Sequence, residues 1–168
     1  MRYTLTKDNY RKGIFMKGSQ VAAIAVRMAT AVVFIVNVQC ALSFVLQPAA
    51  FTDSFELASA GVAGDVAVRG LGVAFLMWNT TYPAVIVDPR RFRVLHIVVL
   101  AQQIIGLVGE LIIRLTLPPG AINLTASIDR FIAFDAFGLV IMASTLAVLI
   151  IADRRTKQQA AINIQTNL

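Results

Sequence analysis

The sequence predicts an all-α protein built as a bundle of four transmembrane helices. Of its 168 residues 58% are hydrophobic and only 14% charged, with a mean hydropathy of +0.75. A soluble domain is about 45–50% apolar and about 25% charged. Four stretches reach the length of about 20 apolar residues that a spanning helix needs. None alternates with period two, so helices rather than a membrane β-barrel account for them. A soluble enzyme, a disordered chain and a disulfide scaffold are all excluded by this composition.

In chain order, residues 1–20 form a basic N-terminal segment, followed by spans at about 21–46, 65–87, 92–115 and 129–151 and a polar tail at 152–168. The first apolar run follows about twenty charged and polar residues and is longer than a signal-peptide core of about 7–15 residues, so it reads as a retained signal anchor. Gln47-Pro48, Asp88-Pro89 and Pro118-Pro119-Gly120 close the first three spans, because the residue before a proline is driven out of helical geometry. Pro83 lies inside the second span and predicts a kink. In the first outer connection, Asp53 three residues before Glu56 marks a helix start. Phe51, Phe55 and Leu57 would then form a short helix in the headgroup layer, or else a compact loop with its aromatics tucked onto the bundle.

Orientation follows from the basic residues. Residues 1–20 carry five (Arg2, Lys7, Arg11, Lys12, Lys17), the turn after the second span carries Arg90, Arg91 and Arg93, and the tail carries Arg154, Arg155 and Lys157. The 47–64 and 116–128 connections carry none. The positive-inside rule places both termini in the cytoplasm of a multi-pass plasma (inner) membrane protein. The net charge of +6 is thereby explained by membrane flanks and anionic lipid headgroups. No basic stripe interleaves with exposed aromatics, so nucleic acid is not an expected partner.

The candidate site comes from charges inside the spans. Charged groups near the bilayer centre cost at least about 2.5–3.5 kcal/mol each, so they face the bundle interior and find partners. Arg69, Glu110 and Asp135 each lie roughly 7–11 Å outward of their helix midpoints at 1.5 Å per residue. If all three face inward, Arg69 can bridge both carboxylates as a forked donor, and Arg69→Ala should then destabilise the bundle by about 3–5 kcal/mol. His96, Gln103 and Glu110 recur at intervals of seven, with Arg114 near the same line, a polar stripe that should face protein. Asn79, in the polar run 78–83, completes the candidate set of Arg69, Glu110, Asp135, Gln103, Asn79 and Arg114. The alternative is that Asp65 with Arg69, and Glu110 with Arg114, neutralise each other one turn apart and the network only fixes packing. Asp135 has no basic residue three or four positions away and needs a partner from another helix. Arg27, nearer the cytoplasmic side, can snorkel to the headgroups or join an inner polar patch.

Catalytic signatures are missing: no phosphate-binding glycine loop, no His-Glu-x-x-His and no Gly-x-Ser-x-Gly elbow. The sole histidine, His96, and the sole cysteine, Cys40, make no metal site of the usual spacing, and they read as structural groups. No catalytic or metal-binding residue is therefore assigned, and an enzyme is disfavoured.

Four spans in a chain of this size, with Arg69-Gly70-Leu71-Gly72 at the start of the second and Asp135 in the fourth, resemble the broad DoxX-like group of small membrane proteins. The resemblance covers roughly residues 21–151. It implies a four-helix membrane fold and, by association with quinone-linked redox systems in some members, a membrane subunit. The combined expectation is a non-catalytic accessory subunit or small-ligand bundle. It would bind lipid or quinone, sit among membrane lipids, and join a larger membrane complex or a homo-oligomer. The alternatives are a small proton-coupled carrier using Arg69, Glu110 and Asp135, and a membrane enzyme using the carboxylates.

Overall fold

The computed structural model describes the backbone of residues 2–166 and the side chains of residues 17–162 and 165. The chain runs through α1 (Arg2–Leu46), a single turn α2 (Ala49–Thr52), a 3-10 turn (Ala58–Ala60), α3 (Val62–Trp78), a second 3-10 turn (Asn79–Thr81), α4 (Tyr82–Val87), α5 (Arg93–Thr116) and α6 (Ile122–Thr166). No strand occurs among the described residues. Four helical stretches are long and apolar enough to cross a membrane: Lys17–Leu46, Val62–Val87, Arg93–Thr116 and Ile122–Ile162.

Two helices are longer than the spans they contain. α1 and α6 each have 45 residues, about 68 Å at 1.5 Å per residue. Residues 2–20 hold no proline, and charge alone does not end a helix, so the basic N-terminal segment continues into the first span without a break. α6 starts at Ile122, well ahead of residue 129, directly after the last breaker, Gly120. The connection between α5 and α6 shrinks accordingly.

The breakers act where their chemistry requires. Asp88, before Pro89, is extended at φ −146°, ψ 91°. Pro83 cannot donate to the carbonyl of Asn79, and its ring would clash there in an ideal α-helix. The chain instead tightens through the Asn79–Thr81 turn, in which the Tyr82 N–H bonds to the Asn79 carbonyl, and resumes as α4. This is the kink that Pro83 predicts.

α1 packs against α3, α4 and α6, while α5 packs against α6 and α4. Helices α1 and α5 thus stand at opposite corners, with the α3–α4 unit and α6 between them. The α1–α3 crossing is close because a Cβ on Gly72 would lie 2.7 Å from the Ala41 carbonyl oxygen and 2.9 Å from Phe44 Cβ. The core holds Val26, Ala29, Val33, Tyr82, Val85, Val99, Met142 and Leu149. Large apolar residues also cover the outside, such as Ile24, Met28 and Ile35 on α1 and Ile105 and Ile112 on α5. Apolar side chains on both faces are the pattern of a helix meant for a non-aqueous surround.

The first connection is a compact cap. Its helix is one turn long and begins before Asp53, which sits at its C-terminal end. Phe51 and Phe55 turn inward onto the buried ring of Phe44, at centroid distances of 4.8 and 5.6 Å, and Phe55 stacks on Phe131. Glu56 adopts φ +55°, unusual for a residue with a side chain. Its Oε1 accepts the backbone N–H groups of Asn123 (3.0 Å) and Leu124 (3.3 Å), which caps the otherwise unsatisfied start of α6. Ser127 Oγ donates to the Ser54 carbonyl beside it.

Candidate functional site

The polar stripe on α5 faces α6. Three aspartates of α6 meet it at three levels. Arg114 Nε donates to Asp129 Oδ1 at 2.7 Å, Gln103 Nε2 to Asp135 Oδ1 at 2.8 Å, and Arg93 Nη2 to Asp153 Oδ2 at 2.8 Å. The α5 numbers rise as the α6 numbers fall, as an antiparallel pair requires.

The middle level is the most enclosed. Gln103 and Tyr82 are buried, and the Tyr82 hydroxyl donates to Gln103 Oε1 at 3.1 Å. Gln103 therefore spends its carbonyl on α4 and its amide on α6. Gly106, one turn above, leaves room where a Cβ would stand 2.8 Å from Trp78 Cη2 and 3.0 Å from Asp135 Oδ2. The indole of α3, the carboxyl of α6 and the backbone of α5 converge at this point. Glu110, a further turn along the same face, has its Oε2 buried without a hydrogen-bond partner, and Trp78 Nε1, buried near the Tyr82 hydroxyl, makes no hydrogen bond of good geometry. Each such group costs about 1–3 kcal/mol while unsatisfied, so this layer retains unused hydrogen-bonding capacity.

Arg69 stands apart from this layer. It is exposed, and among the described residues it makes no hydrogen bond or ion pair. One reason is angular. Nine residues at about 100° each put Arg69 half a turn around α3 from Trp78, the side chain that reaches α5. Arg69 also lies nine residues, about 13 Å at 1.5 Å per residue, along α3 from Trp78, the side chain that meets Gly106 beside Asp135. It is neither level with that carboxyl nor turned toward it, and the expected forked bridge to Glu110 and Asp135 does not form. The one-turn pairs are not made either: Arg114 bonds to Asp129 rather than Glu110, and no ion pair joins Asp65 to Arg69. Asn79 is buried, gives its amide to the Phe75 carbonyl at 2.8 Å, and leaves Oδ1 unpaired. Thr81 Oγ1 donates to Gln102 Oε1 at 3.3 Å, the one bond from this polar run to α5 besides that of Tyr82.

The basic end carries a second cluster that the sequence reading missed. Asp153 accepts from Ser19 Oγ (2.6 Å), Arg90 Nε (3.2 Å) and Arg93 Nη2 (2.8 Å), while Arg90 Nη2 also donates to the Ser19 carbonyl and hydroxyl, both at 2.7 Å. One carboxylate thereby fastens α1, the α4–α5 turn and α6. Arg27 Nη2 bonds the Val87 carbonyl at 2.9 Å and closes the end of α4, so it finds a protein partner there. In the adjacent turn, Asp88 Oδ1 accepts the backbone N–H groups of Arg91 and Arg90. The Arg91 N–H, then that of Arg90, holds its carboxyl below the usual carboxylate range. The signal available in the sequence was the placement of Asp153 just past the fourth span, level with the arginine turn.

Between these clusters lies His96, wholly buried, with neither ring nitrogen paired. No group of three metal-ligating residues occurs among the described residues. The enclosed layer offers hydrogen bonding and proton exchange rather than a nucleophile beside a base. Comparison of the chain with protein-family models, curated proteins and solved structures gives no match in any of the three.

Proposed function

We propose that this is an integral membrane protein with both termini in the cytoplasm, acting as a non-catalytic subunit that binds a small apolar ligand, a lipid or a quinone, at the layer around Gly106. The observation that carries this reading is the pair of unused groups there, Trp78 Nε1 and Glu110 Oε2, buried beside the Gln103–Asp135 hydrogen bond. A hydroxyl head would accept from Trp78 Nε1 and donate to Glu110 Oε2, and a quinone carbonyl would accept from Trp78 Nε1 and from a protonated Glu110. The positive-inside rule supports the orientation, and the Asp153 cluster fits the inner water boundary, where charges stay partly hydrated.

The test is purification from native membranes in mild detergent, with mass spectrometry of the lipids, quinones and proteins that come with it. One species should be enriched over the bulk membrane, and Trp78→Phe combined with Glu110→Leu should reduce it at least five-fold. Lipid content identical to the bulk in both proteins would sink the reading. A second reading, a small carrier driven by protons, is favoured by the two carboxyl groups of this layer forming no ion pair among the described residues.

A further inference from the structure

We propose that the buried face of α5 is a proton path, with His96 as the relay between the inner water boundary and the Asp135–Glu110 layer. The path would operate with or without a ligand in that layer, and so goes beyond both readings above. Three observations place it. First, one face of one helix carries a spaced series of polar groups: Arg93 at the Asp153 cluster, then His96, Gln103 and Glu110. Successive members from His96 onward are about 10 Å apart along the axis at seven residues each.

Second, His96 is fully enclosed, yet both of its nitrogens lack protein partners. A structural histidine in a packed core bonds at least one of them. Open valence on both sides of the ring is what a relay requires, since an imidazole accepts a proton on one nitrogen and gives up the proton held on the other. Third, further unpaired polar atoms occur on the helices around the core, Thr30 Oγ1 on α1 and Asn79 Oδ1 in the α3–α4 kink, and both residues are buried. Polar atoms of this kind are the usual partners of internal water.

Each transfer is a proton exchange without redox change. Hydronium at the inner water boundary near Asp153 gives a proton to one His96 nitrogen and is left as water. The N–H on the other nitrogen breaks and its proton passes, through internal water beside Tyr82 and Gln103, to Asp135 and from there to the Glu110 carboxylate. Release of that proton from Glu110 to water on the outer side regenerates the carboxylate, and a half-turn of the ring restores the imidazole tautomer. Water is the only additional participant.

The full chain in liposomes, with an internal pH dye and a potassium gradient made electrically active by valinomycin, tests this without any substrate. Proton uptake should exceed that of protein-free liposomes at least ten-fold. His96→Gln, which keeps a hydrogen-bonding side chain of similar size but cannot exchange protons, should return uptake to the protein-free level while helical content and elution volume are unchanged. Glu110→Gln should do the same, and Ile105→Ala, on the exposed side of α5, should conduct as the parent does. Uptake no greater than in empty liposomes, or a His96→Gln protein that conducts normally, would overturn the proposal. If His96→Gln fails to reconstitute, the parent and Glu110→Gln proteins decide the matter by the same criteria.

Discussion

The Asp153 cluster and the Gln103–Asp135 layer solve the same problem, an aspartate of α6 that must be satisfied by its neighbours, in opposite ways. At the basic end Asp153 is met by two guanidinium groups and a serine hydroxyl, with Arg90 and Arg93 still partly exposed. Water shares the solvation there, so ion pairing is inexpensive and each pair contributes modestly. In the middle of the bundle Asp135 is met by an amide, which a buried tyrosine holds in turn. No cation enters, because a buried guanidinium would bring a desolvation penalty of several kcal/mol of its own. The fold places charge against charge where water reaches and neutral donors against carboxyls where it does not.

Substitutions at the two sites sharpen that contrast, and unfolding in detergent micelles measures each. Gln103→Leu should have the largest effect, a loss of about 3 kcal/mol, because it strands both the Tyr82 hydroxyl and the Asp135 carboxyl in the core. A loss below about 1 kcal/mol would show that water already reaches this layer. Asp153→Ala should cost less, about 1–2 kcal/mol after allowance for solvent screening of the half-exposed arginines, and its effect should shrink in high salt while that of Gln103→Leu does not. Arg69→Ala should lie within about 0.5 kcal/mol, the scatter of surface substitutions. A loss of 3 kcal/mol there would mean that the arginine reaches the carboxyls after all.

Much of this architecture was legible. Span positions follow from hydropathy, and the breaks between the long helices fall at Pro48, Pro89 and Pro118-Pro119-Gly120 because those residues act locally. The α5 stripe was legible through its spacing of seven, and Gln103, already in it, proved to be the partner that Asp135 needed from another helix. Helix lengths were less accessible, since polar residues before Val21 and after Gly120 carry no stop signal. Arg69 was misjudged on two counts: depth counted from span midpoints put it level with carboxyls that meet α3 nine residues further on, at Trp78, and the direction a side chain faces depends on which neighbour the helix meets. The Glu56 cap was out of reach altogether: its partners lie 67 and 68 residues away, and nothing local announces such a bond.

That cap has a consequence for assembly. Glu56 is held in a conformation unfavourable for its residue type by backbone groups that do not exist until Asn123 and Leu124 have been synthesised. The first connection therefore cannot settle when it emerges, and reaches its final shape only once the fourth long helix has formed. A nascent chain stopped before that helix should expose this connection to protease, and the finished one should shield it.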